Sequence, residues 1–319
     1  MKLLKPIPKK PKARIKLDKG SASKQRQYNQ KFKVLSEAIP YVELYNGQVV
    51  VIAIEDSIIA NNDQLKLFAE DVVLLKRAGI NPIIVHNAEH GLKNFFERMK
   101  ITYETHNGQI IVNKRNIELV EMVCSASVNK AIVTAINDAE GMAIGISGKD
   151  GKLIEAKKSK IISRNKNNVD QIVDNTYAGD PIMINPSILA PFEESEIIPV
   201  ISPIGYNEAV QAIYLESISI ASCIASSIAA SKLIVMSNHN LFIDEEGKVI
   251  EEMASNEAVK YIEKFDTHLA RKLQMAISTV DYFSETVHFV NSNIMHGLVF
   301  EILSDERPGT LVFSTVAEL

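Results

Sequence analysis

The stretch VVVIAIEDSIIAN, residues 49–61, sets the architecture of the chain. It opens with a continuous apolar run, Val49–Ile54, half of it valine. A run of this length that ends in charged residues fits a strand buried on both faces of a parallel sheet. Ligands of open parallel sheets bind at the carboxyl ends of the strands. Here that end reads Glu55-Asp56-Ser57. A phosphate site wants glycines and a lysine at such a turn, to bring backbone N–H groups and a cation to the anion. This turn offers two carboxylates and no glycine.

Upstream, residues 27–44 place Phe32, Leu35, Ile39, Val42 and Leu44 at helical spacing, and Pro40 predicts a kink with a second short helix beyond it. Asn46-Gly47 then stops the helix before the strand. Downstream, Asp63 is the predicted N-cap of a helix reaching Arg77, closed by Gly79. A strand over residues 82–85 completes a right-handed βαβ unit. A helix over 90–99 follows, then a hairpin of 101–103 with 109–112 around Asn107-Gly108. A long amphipathic helix is expected over 114–137 and a strand over 142–146. Peripheral strands over 152–160 and 177–184 flank a polar loop. Further strands are expected over 197–201, 232–236, 287–290 and 311–313. Helices are expected over 207–231, 257–264, 266–280 and 294–303. Strands alternating with helices predict a doubly wound α/β fold. Three segments are expected: a basic tail at 1–30, a first lobe at 31–205 and a second at 206–319.

With 319 residues the chain can bury a large core, and its 46% apolar and 23% charged content is that of an ordinary globular protein. No apolar run reaches the ~18–20 residues of a membrane span. The N-terminus lacks the apolar segment of a secretory signal. Cys124 and Cys223 form neither a metal-spacing motif nor a disulfide framework, so a reducing, cytoplasmic compartment and no metal centre are expected. Residues 1–31 hold eleven Lys or Arg and one acid, Asp18, a charge of +10; the total is −4, so the rest carries −14. Such a tail fits contact with an anionic partner, and equally a solvated, extended segment.

Several blocks in fixed order carry a family resemblance. They include LSEAIPYVELYNGQVVVI (35–52), FAEDVVLLKRAGINPIIVH (68–86), IELVEMVCSASVNKAIVTAIN (117–137), AIGISGKDGKLIEAKK (143–158), IIPVISPIG (197–205) and ILSDERPGTLV (302–312). Across roughly residues 30–314 the chain resembles the N-acetylglutamate kinases of the amino-acid kinase superfamily. The resemblance implies a three-layer αβα sandwich around an open, mostly parallel sheet of about eight strands. It implies an N-terminal lobe for N-acetyl-L-glutamate, a C-terminal lobe for ATP with Mg2+, and a step in arginine biosynthesis. In that reaction the γ-phosphoryl group moves to the side-chain carboxylate, so the enzyme's work is positioning and charge neutralisation.

The residues implied to do that work are largely replaced. The family's Lys-x-Gly-Gly after the first strand reads Ala53-Ile54-Glu55-Asp56. Like charges at ~4 Å cost ~1–4 kcal/mol each, depending on screening, so these carboxylates oppose a phosphate there. The family's His-Gly-Gly-Gly reads His86-Asn87-Ala88-Glu89, which keeps His86 as a substrate-side or a structural histidine. In the hairpin Gly108 is kept and the substrate-pairing arginine becomes Ile110. The segment with the organising aspartate reads Tyr214-Leu215-Glu216-Ser217-Ile218. In the nucleotide lobe, Thr-Asp-Val-Pro-Gly reads Ser237-Asn238-His239-Asn240-Leu241, and Asp-Gly-Arg reads Asn291-Ser292-Asn293. Lys272 is the one charged catalytic position retained, with a solvated helix lysine as the other reading. The loop Ser147-Gly148-Lys149-Asp150-Gly151 is intact and is either a ligand loop or a tight turn needing its glycines. Fourteen glycines fall below the roughly 7% average, and the missing ones map to phosphate-facing turns.

Three functions are compatible with this pattern: a catalytically degenerate kinase (a pseudokinase) serving as a binding, regulatory or assembly subunit, an active kinase with a divergent site, and a platform tethered by its basic tail. In arginine-inhibited relatives an extra N-terminal helix interlaces subunits. Residues 27–44 resemble it, which implies a homo-oligomer, dimer or hexamer, with arginine as a possible ligand.

Overall fold

The computed structural model describes residues 22–106, 109–159, 161–164, 170–173, 176–238, 242–265, 267–282 and 286–315. Helix α1, Ala22–Tyr45, begins inside the expected tail and continues through Pro40. Residues 1–21 of that tail lie outside the described residues. A proline inside a helix removes one hydrogen bond and crowds the carbonyl four residues back. Tertiary packing holds the turn here: Tyr41, Val42 and Tyr45 pack against the core, and Tyr41 donates to Asp305. By contrast Tyr28, Phe32, Leu35 and Ile39 are exposed.

Strand β1, Val49–Ile54, is buried along its whole length. A short α2, Asp56–Ala60, leads into α3, Asn62–Arg77. The cap of α3 is Asn61, not Asp63: its Oδ1 accepts the N–H groups of Asp63 and Gln64 at 3.0 and 3.2 Å. Asn61 is the last extended residue, so its side chain is the one that reaches the open amides. Strand β2 is Asn81–His86 and helix α4 Glu89–Arg98. The hairpin pairs β3, Thr105–His106, with β4, Gln109–Ile110. Its first strand lies later than predicted, because Ile101 and Tyr103 pack against the core instead. Helix α5, Ile117–Met122, passes through a π-helical segment, Val123–Val128, into α6, Asn129–Asp138. Contrary to the expectation from apolar runs, Ile117–Asp138 is long and apolar enough to cross a membrane by length and composition. Its Val120, Val123, Val128, Ile132 and Ile136 are buried in the protein's own core.

Then come β5, Met142–Ser147, β6, Ile154–Lys158, β7, Ile161–Arg164, β8, Asp170–Val173, and β9, Ala178–Ile184. Helix α7, Ala190–Glu193, precedes β10, Ile197–Ser202, β11, Ile204–Tyr206, and β12, Ala212–Leu215. Residues 207–231 are therefore not one helix. The helix is only α8, Ser217–Ser227, because Ala212–Leu215 is drawn into a small closed barrel of order β11-β12-β9-β6. The chain ends through β13, Lys232–Ser237, β14, Glu252–Ala254, α9, Ser255–Ala258, a 3-10 turn at Val259–Lys264, α10, Thr267–Tyr282, β15, Thr286–Asn291, α11, Gly297–Leu303, and β16, Gly309–Phe313.

Eight strands form one sheet of order β14-β16-β15-β13-β1-β2-β10-β5. Only the β15–β16 pairing is antiparallel. Strand β1 lies mid-sheet, with Ile52 between Ile84 of β2 and Ile234 of β13. Helices α6, α3 and α11 pack side by side as one layer, and α8 and α10 as the other, giving the expected αβα sandwich. At the amino ends of β13 and β15 lies a buried polar chain. Lys232 Nζ donates to His288 Nε2 at 3.0 Å, and His288 Nδ1–H donates to Glu301 Oε1 at 2.5 Å. Burial holds the His288 pKa below its ordinary value, so the neutral ring can accept from the lysine.

Candidate functional site

The carboxyl ends of β1, β2 and β13 open onto a cleft of about 830 Å³. Its floor is the turn after β1, Glu55-Asp56-Ser57, which starts α2. The segment 214–218 forms one wall, and Asn87 and Glu89 come from the end of β2 and the start of α4. Helix α10 contributes Arg271 and Lys272. The other charged side chains among its lining residues are five carboxylates: Glu55, Asp56, Glu89, Asp180 and Glu216.

Each cation is already engaged. Lys272 pairs with Glu55, and burial lowers its pKa to about 8. Arg271 Nε donates to Glu216 at 2.9 Å, and its NH2 group to Asp180 at 3.3 Å. Glu89 is held by the Ile110 N–H at 2.8 Å and by Lys93 at 3.3 Å. Asp56 has its pKa pushed up to about 7 by burial, with the His90 N–H opposing and Glu89 adding to the rise. The backbone N–H of Glu55 donates to Met236 O at 3.2 Å and so faces the sheet.

The cofactor that the resemblance implies is a nucleoside triphosphate with Mg2+. Its phosphates need converging N–H groups and uncommitted cations. The cleft instead presents a carboxylate excess, and its most buried cation is paired within the chain. Among the described residues no cluster of three His, Cys, Asp or Glu has metal-ligating geometry. The described residues that line the cleft do not fit the group.

Of the expected site residues that are described, only Lys272 lines the cleft. His86 is fully buried, and burial lowers its pKa to about 4. Its Nδ1 lies 2.8 Å from Asn87 O, and Asn129 Nδ2 lies 3.3 Å from its Nε2, so it joins β2 to α6. Gly108 lies outside the described residues, as do His239, Asn240 and Leu241. The loop Ser147 to Gly151 closes on itself beyond the cleft. Asp150 accepts the Ser147 N–H at 2.7 Å, and Lys149 pairs with Glu121 at 2.7 Å. A Cβ at Gly148 would stand 2.3 Å from Ile204 O, which is the packing reason for that glycine. Asn293, in the former Asp-Gly-Arg position, donates to Asn238 O and accepts from Gln64 at 2.6 Å, an amide network in place of charge. Arg307 pairs with Glu252. Arg271, Asp180 and Glu216 were not singled out as site residues by sequence reasoning. They lie far apart in the chain, and no local motif joins them.

Residues 48–288 match the amino acid kinase family. The chain is 32% identical over 299 residues to the acetylglutamate kinase of Rhodospirillum centenum, covering 92% of this chain and 97% of that protein. It is 34% identical over 287 residues to the acetylglutamate kinase of Ehrlichia ruminantium, covering 89% of each. Among solved structures it is similar to N-acetylglutamate synthase from Neisseria gonorrhoeae complexed with coenzyme A and N-acetyl-glutamate. That likeness has a TM-score of 0.76 at 18% identity and covers 90% of this chain and 64% of that one, so the chain spans just under two thirds of the synthase. It is also similar to carbamate kinase from Giardia lamblia, with a TM-score of 0.57, 9% identity, and 84% and 98% coverage. The two structural likenesses carry the fold alone.

Proposed function

The chain belongs to the amino acid kinase family, and from that premise we propose that it is an acetylglutamate kinase-like protein that no longer transfers phosphoryl groups and serves as a binding, regulatory or assembly subunit. The kinase relatives imply ATP use, and ATP with Mg2+ is what the alternative, an active divergent kinase, would require. One observation favours loss of transfer: the buried cation of the cleft, Lys272, is taken by Glu55 from the turn that should cradle phosphate. Removing one charge-stabilising group commonly costs ~10²–10³ in rate, and several are replaced here. The test is incubation with ATP, Mg2+ and N-acetyl-L-glutamate, trapping the acyl phosphate with hydroxylamine. No hydroxamate above the protein-free control is expected, and robust turnover would overturn the reading.

The assembly role rests on α1, whose Phe32, Leu35 and Ile39 are exposed while its last turn is seated on the body. We place a second copy of the chain on that face. Phe32→Glu is expected to lower the mass measured by light scattering towards that of a smaller assembly, leaving the circular dichroism spectrum unchanged. An unchanged mass would remove α1 from the assembly. A cytoplasmic location completes the reading and suits the free thiols of Cys124 and Cys223.

A further inference from the structure

Arg271 and Lys272 are consecutive on α10, yet they reach carboxylates from three different elements. Glu55 comes from the turn between β1 and α2, Asp180 from β9, and Glu216 from the residue before α8. The Lys272 and Glu216 side chains are largely buried, at 8% and 16% exposure. We propose that these carboxylates act as a built-in mask: they occupy an anion site made by Arg271 and Lys272 and clamp α10 across the cleft, so that polyphosphate cannot enter. The inference rests on the reading that the cleft has lost phosphoryl transfer, and it adds a latent ligand class, a small oxyanion such as pyrophosphate.

The physical argument lies in what unmasking leaves behind. Taking an ammonium out of water costs several kcal/mol unless a counter-charge answers it. Glu55 is that counter-charge for Lys272. Replacing the carboxylate by an amide of the same shape leaves a cation in a confined cleft next to the Arg271 guanidinium. An entering oxyanion then restores the balance with charge-assisted hydrogen bonds. The ion pairs also join the end of β1 to the barrel strand β9 through α10, so the mask and the closure of the cleft are one set of contacts.

The experiment uses full-length protein and pyrophosphate as the probe, by isothermal titration calorimetry at neutral pH and low salt. The wild-type chain is expected to give no saturable heat. E55Q is expected to bind pyrophosphate at least tenfold more tightly than the wild type, and E55Q/K272M to lose that gain. A second variant, E216Q, frees Arg271 in part and is expected to give a smaller gain, so the proposal stays testable if E55Q folds poorly. Binding by E55Q and E216Q no tighter than wild type overturns the mask, as does E55Q/K272M binding as well as E55Q. Hydroxamate formation by the wild-type chain would sink the functional reading instead, so the two failures are separable.

Discussion

Asp56→Asn is expected to stabilise the protein, and to do so far more at pH 8 than at pH 5. Asp56 sits in the floor of the cleft, where burial raises its pKa from 3.8 to about 7. A carboxyl whose folded pKa lies above its unfolded value favours the fold fully only below the unfolded value. That contribution is lost as pH rises through the folded one, here between about pH 4 and pH 7. At pH 8 the ionised group handicaps the wild type by up to about 4 kcal/mol. At pH 5 most of the folded population keeps the proton, and the handicap shrinks to roughly 1.5 kcal/mol. The amide keeps an acceptor for the N–H groups of His90 and Glu89 and carries no charge at either pH. Urea unfolding of both proteins at the two pH values reads the difference directly. Equal gains at pH 5 and pH 8 would show that Asp56 is not strained by its burial.

Glu301→Ala is expected to cost ~3–5 kcal/mol, the loss typical of removing the counter-charge of a buried cation, here Lys232 reached through the neutral His288. Glu301, His288 and Lys232 are all nearly inaccessible, at 7%, 3% and 9% exposure. The alanine would leave the His288 Nδ1–H without its acceptor and Lys232 with less negative charge to answer it. Glu301→Gln keeps the acceptor and the volume, so its cost should be smaller, ~1–3 kcal/mol. Chemical denaturation ranks the pair. A Gln variant as damaged as the Ala variant would mean that charge, not the hydrogen bond, carries the contribution.

The sheet was legible because its strands are short, unbroken apolar runs. Val49–Ile54 and Lys232–Ser237 are buried throughout and matched the expected strands to within a residue. The small barrel was legible only in half: β6 and β9 fall inside the strands expected over 152–160 and 177–184, whereas β11 was not expected and β12 was read as helix. Ala212–Leu215 sits next to a serine- and alanine-rich segment, and its partners β9 and β11 supply the pairing that local composition cannot. The π-helical segment at Val123–Val128 was hidden for a related reason, since it keeps an apolar face and shifts only the hydrogen-bond register. At the site, sequence comparison located the altered turn, Glu55-Asp56, and the retained Lys272. It could not show that they touch, because 217 positions separate them. Arg271 with Asp180 and Glu216 is the same case, since ion pairs closed by tertiary structure leave no spacing to read.

The mid-sheet position of β1 has a consequence for biosynthesis. Its partner β2 follows almost at once, but the opposite edge waits for β13, whose Leu233 pairs with Val51. At a synthesis rate of ~5–20 residues per second that wait is roughly 10–35 s. Throughout it a nascent chain carries one of its most apolar strands with an open row of N–H and C=O groups, the template on which chains aggregate. A fragment ending before Lys232 would keep that edge open permanently. It is therefore expected to precipitate or remain with chaperones, however well its own helices form.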